Sequence, residues 1–208
     1  MRALLVDFNG TLSDDEPVLF RIFRELFAEA GRPLGEGEYY AELAGYSDRE
    51  IIRKWLGRDD PDLLERKTAR YRDLADGSSV RSEARDAIRS AAEVVSVAIV
   101  SGSARAEIEP VVTGAGLADA ITLIVSEDDV RRSKPDPEGY LLALHLLGVD
   151  AGDAAAIEDS EAGVAAAKAA GLYCAAVTTT LPADRLSAAD VLADRFDRDL
   201  IARLVSSA

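Results

Sequence analysis

Short, nearly continuous apolar runs alternate with stretches of helical periodicity along most of this chain. The runs Ala3–Val6, Val94–Val100, Ile121–Val125, Ala154–Ile157 and Tyr173–Val177 predict strands. Their lack of polar alternation predicts burial on both faces, as in a parallel sheet covered by helices. Val191–Ala193 reads as a further edge strand. Helices are predicted near Ala104–Gly114, Pro137–Leu147 and Glu161–Ala170, one in each gap between the last four main strands. Asp136-Pro137 supplies an N-cap and a first helical residue, Gly171 a helix stop, and Gly163 a point of close approach. The fold class is α/β.

The interval from Ser13 to Arg81 breaks this rhythm. It is far longer than one crossover and carries no strand pattern, but Leu19, Ile22, Phe23, Leu26 and Phe27 form an apolar stripe at helical spacing. Ser47-Asp48-Arg49-Glu50 reads as a capping box opening another helix, and Asp62–Leu74 as one more. A helical insert over residues 14–81, with hinges at Ser13–Glu16 and Asp76–Ser82, is expected to interrupt a core built from residues 1–13 and 82–208. No internal repeat or low-complexity tract is present.

Composition narrows the class. With 208 residues, 48% hydrophobic and 30% charged, the chain is a globular protein rather than a disordered one. Its apolar runs are too short to cross a bilayer, and the first strand begins too early to leave room for a signal peptide. Cys174, the one cysteine, sits in an apolar run and excludes internal disulfides, so a cytoplasmic location is expected. The formal net charge of −14 and pI near 4.5 disfavour nucleic acid and anionic membrane as partners. The same charge means that any site for a phosphate dianion must import positive charge through a metal, a lysine or helix N-termini.

Parallel sheets place ligands at the carboxyl ends of their strands. Those ends carry Asp7, then Ser101-Gly102, then Lys134 in Ser133-Lys134-Pro135-Asp136, then Glu158-Asp159. Together they supply what phosphoryl transfer needs: a nucleophile, hydrogen-bond donors, a cation and an acid pair for a metal. Taken singly, each has a plainer reading. Asp7-Phe8-Asn9-Gly10 is a strand and a turn, Ser101-Gly102 a loop with an N-cap, Lys134 a solvated loop lysine, and Glu158-Asp159 a favourable start to a helix. Their joint order at predicted strand ends argues for a site.

In that order, with Asp7-Phe8-Asn9-Gly10-Thr11-Leu12 first, these segments resemble the four motifs of the haloacid dehalogenase (HAD) superfamily. The resemblance covers nearly the whole chain, and the insert resembles the C1-type cap of phosphoglycolate-phosphatase-like and phosphoglucomutase-like members. It implies a Rossmannoid core and a hydrolase of small phosphorylated metabolites. It further implies Asp7 as nucleophile, Gly10, Thr11, Ser101 and Gly102 as phosphate-binding residues, and Lys134 as the neutralising cation. Mg²⁺ is implied on Asp7, the Asn9 backbone carbonyl, Asp159 and Glu158, the last directly or through water.

One residue departs from the family. Its phosphatases carry a second Asp where this chain has Asn9, and that Asp passes protons to the leaving group and from the attacking water. General acid–base catalysis contributes roughly 10²–10⁴-fold, and an amide has no transferable proton near neutral pH. Three accounts follow: a phosphatase for good leaving groups or one using another acid such as Asp14 or an insert residue; a different HAD reaction, such as phosphonate hydrolysis through Lys54 or Lys67 as Schiff base; or a protein that binds a phosphorylated ligand without turnover. Of the remaining candidates, Asp14-Asp15-Glu16 reads as a cap of the first insert helix with Asp14 near the site. Trp55 and Tyr39-Tyr40 read as packing, His145 as a surface or packing residue, and Arg49 and Lys67 as surface charges that an insert could also turn toward substrate.

Overall fold

The computed structural model describes residues 1–207. Six parallel strands, β1 (Ala3–Val6), β2 (Ser96–Val100), β3 (Leu123–Val125), β4 (Ala154–Glu158), β5 (Tyr173–Val177) and β6 (Val191–Ala193), form one sheet in the order β3-β2-β1-β4-β5-β6. Leu5 pairs with Ala98 on one side and Ala156 on the other. The chain builds outward from β1 to β3, then returns to lay β4 on the opposite side of β1. The β1/β4 junction is therefore the topological switch point, where a crevice opens beyond the strand ends.

Strict alternation explains why the strand runs look uniformly apolar. Leu4, Val6, Val97, Ile99, Ala155, Ile157, Ala175 and Val177 belong to one core cluster, while Ala3, Leu5, Ala98, Val100, Ala154, Ala156, Cys174 and Ala176 belong to the other. The second face is covered by Tyr140 and Leu144 of a helix over Glu138–Leu147 and by Val164 and Ala167 of one over Glu161–Ala169. The first is covered by helices over Ser82–Ala92, Arg105–Gly114 and Arg198–Ser207.

Between β1 and β2 the chain forms α1 (Glu16–Glu29), the short turn α2 (Glu36–Glu38) running into a π-turn over Tyr39–Leu43, α3 (Asp48–Leu56) and α4 (Pro61–Leu74). Continuing this numbering, the helices after α4 are α5 (Ser82–Ala92), α6 (Arg105–Gly114), α7 (Glu138–Leu147), α8 (Glu161–Ala169) and α9 (Arg198–Ser207). The expected capping box is present: Ser47 Oγ accepts from the Glu50 N–H, and Glu50 Oε2 accepts from the Ser47 N–H, both at 3.4 Å. The two connectors to the sheet lie side by side, with Ser13 Oγ donating to Ser79 Oγ at 2.8 Å and the Asp14 N–H to the Ser79 carbonyl at 2.9 Å. Phe8, Phe23, Phe27, Trp55 and Tyr71 share one apolar cluster with Leu4 and Val6, so the insert packs directly onto the sheet layer.

Boundaries shift where turns claim residues. β2 begins at Ser96 rather than Val94, because the N–H groups of Val94 and Val95 close the preceding helix on the Ala91 carbonyl. α7 begins at Glu138, one residue after the expected start, and the Asp136 carboxylate caps it by accepting from the Glu138 N–H at 3.0 Å.

Candidate active site

Asp7 leaves β1 at the switch point, its N–H on the Ile157 carbonyl at 3.0 Å. Its Oδ1 accepts from Lys134 Nζ at 2.5 Å, and the same ammonium donates to the Val100 carbonyl at 2.9 Å and meets Glu158 Oε1 at 2.6 Å. Burial disfavours the charged lysine, but Asp7 and Glu158 overcome it and hold Lys134 protonated well above its usual range. Glu158 is pushed up by burial while Lys134 pulls it back, and it also accepts from the Tyr140 hydroxyl at 2.5 Å. A Cβ on Gly163 would stand 1.9 Å from Glu158 Oε2, so only glycine lets α8 seat against this carboxylate.

Asp159 follows on the same strand end. Thr11 Oγ1 donates to its Oδ1 at 3.2 Å, while among the described residues its buried Oδ2 makes no hydrogen bond of ordinary geometry, with the Thr180 hydroxyl alone beside it. Burial, then Asp7 and Glu158, push Asp159 well above the ordinary carboxylate range. A Cβ on Gly10 would fall 2.0 Å from that free oxygen, and Gly10 holds φ +73°, so glycine is required on both counts. Asp7, Glu158 and Asp159 bring carboxylate oxygens within 4.8 Å of one another. One lysine does not neutralise three carboxylates. An oxygen set of this charge with a vacant lone pair suits a hard divalent cation.

The expected phosphate-binding residues divide. Gly102 lines the cleft with Asp7, Asn9, Lys134 and Asp159. Ser101 sits in an adjoining hollow with Gly102 and Lys134, and its hydroxyl accepts from the Ser103 N–H at 3.0 Å. Gly10 and Thr11 line a separate cavity of about 140 Å³ on the far side of the loop, and the Thr11 hydroxyl serves Asp159.

Asn9 lies in the cleft with both ends of its amide engaged. Ser103 Oγ donates to Oδ1 at 2.6 Å, and Nδ2 donates to Asp15 Oδ2 at 3.0 Å. Asp15 is fully buried, also accepts from the Tyr71 hydroxyl, and is raised to about 6 by burial. It occupies the N-cap position of α1 without capping it, because its carboxylate turns inward to Asn9. Asp14 turns outward onto Arg81 and lines the separate cavity, not the cleft. Glu16 is the acid of this trio that faces the cleft. Tyr39 donates to its Oε2 at 2.9 Å, and burial with the neighbouring Asp15 charge raises it to about 7.

Across from the strand ends, Tyr39, Tyr46, Ser47 and Asp48 complete the cleft wall. Behind Asp48, Lys67 is wholly buried between Asp48 Oδ2 and Glu107 Oε2, each at 2.6 Å. This joins α3 and α4 to α6 and holds the lysine charged. It offers no free amine for a Schiff base. Lys54 lies with its Nζ 3.9 Å from the Tyr46 ring centroid, and Arg49 pairs with Glu127 at 3.4 Å. Trp55 packs on Phe27 and donates to the Arg32 carbonyl, a packing role. His145 is exposed. Ser103 and Tyr71 were not read as site residues, and within Asp14-Asp15-Glu16 the sequence placed Asp14 near the site where the structure turns Asp15 and Glu16 inward. For Ser103 the available signal was the second hydroxyl in Ser101-Gly102-Ser103.

The chain belongs to the haloacid dehalogenase-like hydrolase family, whose profile matches residues 1–171. It is an enzyme of that hydrolase class. Among characterised proteins it is 31% identical over 207 residues to a validoxylamine A 7'-phosphate phosphatase of Streptomyces hygroscopicus, with 92% of each chain covered. It is 28% identical over 188 residues to a phosphoglycolate phosphatase of Yersinia pseudotuberculosis, covering 86% of this chain and 81% of that one. An Asp→Asn variant of CbbY from Rhodobacter sphaeroides, solved in complex with xylulose-1,5-bisphosphate, superposes with a TM-score of 0.83 at 29% identity, covering 94% and 95% of the two chains. No helix among the described residues is long and apolar enough to cross a membrane.

Proposed function

We propose that this protein is a Mg²⁺-dependent phosphatase of a small phosphorylated metabolite, acting through an aspartyl-phosphate on Asp7. The observation that carries this reading is the Asp7–Lys134–Glu158 chain beside the unpartnered oxygen of Asp159. A nucleophile held by a buried cation and a vacant carboxylate ligand are what attack on a phosphate dianion requires. Bound Mg²⁺ would neutralise charge on the phosphate oxygens, held by Asp7, Asp159 and the Asn9 carbonyl. Glu158, its oxygens already engaged, positions Lys134. A free Asp7 oxygen attacks phosphorus as the bond to the leaving oxygen breaks. Water then attacks phosphorus and passes its proton to the acid that protonated the leaving group, while the bond between phosphorus and the Asp7 oxygen breaks, releasing phosphate and restoring the carboxylate.

The leaving alkoxide needs a proton that Asn9 lacks. Glu16 lines the same cleft and is poised near neutrality, so it takes the acid role, and Asp14, committed to Arg81 outside the cleft, does not. Residues 14–81 act as a cap hinged at the paired connectors. The cleft is narrow between the cap and the strand ends, and substrate enters as the cap moves. A second reading, tight binding with slow turnover, is favoured by the saturated amide of Asn9. Phosphate release from glucose 6-phosphate and p-nitrophenyl phosphate distinguishes the two. Asp7→Asn should abolish both activities, and Glu16→Gln should slow the alkyl ester by roughly 10²-fold while sparing the aryl ester, whose leaving group needs little protonation. Absence of any release by wild type with Mg²⁺ would leave only the binding reading.

A further inference from the structure

The cleft has a pronounced asymmetry of charge. On the strand-end side it holds Lys134, committed to Asp7 and Glu158. On the opposite wall, where the rest of a phosphate ester must lie, it presents Glu16, Asp48, Tyr39, Tyr46 and Ser47 beside the apolar Leu19 and Ile51, and among the described residues no cation lines it. The nearest basic side chains are engaged elsewhere: Lys67 is sealed behind Asp48, Arg49 is on Glu127, and Arg185 is on Glu161. Lys54 stacks on Tyr46 but does not itself line the cleft.

We infer that the substrate is a monophosphate whose alcohol part is a hydroxylated or aminated body without a second anionic group. This rests on the phosphatase reading and names the substrate class for it. A second phosphate or a carboxylate would be stripped of water against this wall with no positive charge to replace the water. If Glu16 and Asp48 are ionised they repel it; if protonated they leave its charge uncompensated. Hydroxyl groups find acceptors and donors in the two carboxyls, two phenols and Ser47, and an ammonium gains an ion pair. The wall therefore disfavours a phosphoglycolate-like or bisphosphate ligand, the kinds named for two of the proteins this chain is similar to.

The test is binding, read by calorimetry on the Asp7→Asn protein with Mg²⁺, which removes turnover from the measurement. The ligands are glucosamine 6-phosphate, fructose 6-phosphate, fructose 1,6-bisphosphate, phosphoglycolate and inorganic phosphate. Both monophosphates are expected to bind about tenfold or more tightly than the bisphosphate and phosphoglycolate, the scale of a like-charge penalty in a desolvated site. Glu16→Gln in the same background should narrow that ratio, and Lys54→Met should leave it unchanged. Wild-type inhibition of p-nitrophenyl phosphate turnover by the same ligands gives an independent ranking should Asp7→Asn fold poorly. Equal or tighter binding of the bisphosphate or phosphoglycolate overturns the inference while leaving the phosphatase reading intact, as does a preference that depends on Lys54. Binding of none of the five overturns both.

Discussion

Asn9 is better understood with Asp15 than alone. Its amide donates to a carboxylate that is wholly buried and also holds the Tyr71 hydroxyl. An Asp at position 9 would face Asp15 at hydrogen-bond distance, and two such carboxylates cannot both ionise. The pair would share a proton and lose it in coupled steps. Asn9→Asp alone is therefore expected to change alkyl-phosphate turnover little. The exchanged pair Asn9→Asp/Asp15→Asn keeps the hydrogen bond and puts an ionisable group in the cleft. It should raise kcat on alkyl esters by about tenfold or more, within the range general acid–base catalysis supplies. If the single substitution does as well as the pair, as steady-state kinetics on glucose 6-phosphate would show, Asp15 is not what the amide answers to.

At the scale of elements, the contact between the insert and the sheet layer depends on a buried ionic trio as well as on apolar packing. Lys67 from α4 meets Asp48 at the start of α3 and Glu107 in α6, and among the described residues Glu107 Oε1 has no hydrogen-bond partner. Such groups contribute little net stability when intact, because desolvation offsets attraction, but removing one partner strands the others. Lys67→Met is expected to cost about 3–5 kcal/mol in urea unfolding, and Lys67→Met/Glu107→Gln to recover part of it. A loss below about 1 kcal/mol would mean that water reaches the trio in solution, contrary to its burial. The trio also backs Asp48 in the cleft wall, so the same element that joins insert to core shapes the substrate surface.

Across the whole molecule, buried acid makes stability depend on pH with an unusual sign. Asp15 and Glu16 have ordinary values of 3.8 and 4.5 and titrate near 6 and 7 when folded. Between those limits the folded state holds more protons than the unfolded chain, so stability falls as pH rises from about 4 to 7. Acids lowered by surface pairing, such as Glu29, Asp60 and Glu138, act oppositely, but their contribution is lost only as pH falls below their ordinary values. In EDTA the Tm is therefore expected to be higher at pH 5.5 than at pH 8, and Glu16→Gln should reduce the difference, the rest coming from Asp48, Glu158 and Asp159, which burial also raises. Mg²⁺ should raise Tm at pH 8 more than at pH 5.5, since its ligands must be ionised, and Asp159→Asn should remove that gain. A Tm that climbs steadily to pH 8 in EDTA would refute the account of Asp15 and Glu16. The sequence by itself determined the strands, the helical insert and the three segments at Asp7, Ser101-Gly102 and Glu158-Asp159 that stand at strand ends, because apolar periodicity and motif order are local properties, whereas Lys134 lies beyond the turn Glu127–Asp129 that follows β3. It also exposed Asn9 as a departure. Only tertiary structure decided that Thr11 serves Asp159, that Glu158 holds Lys134, that Asp15 rather than Asp14 turns inward, and that Glu16 and Asp48 form an acidic wall. These depend on which side chains meet across 6 to 148 positions of chain, and no pattern within a single segment encodes those meetings.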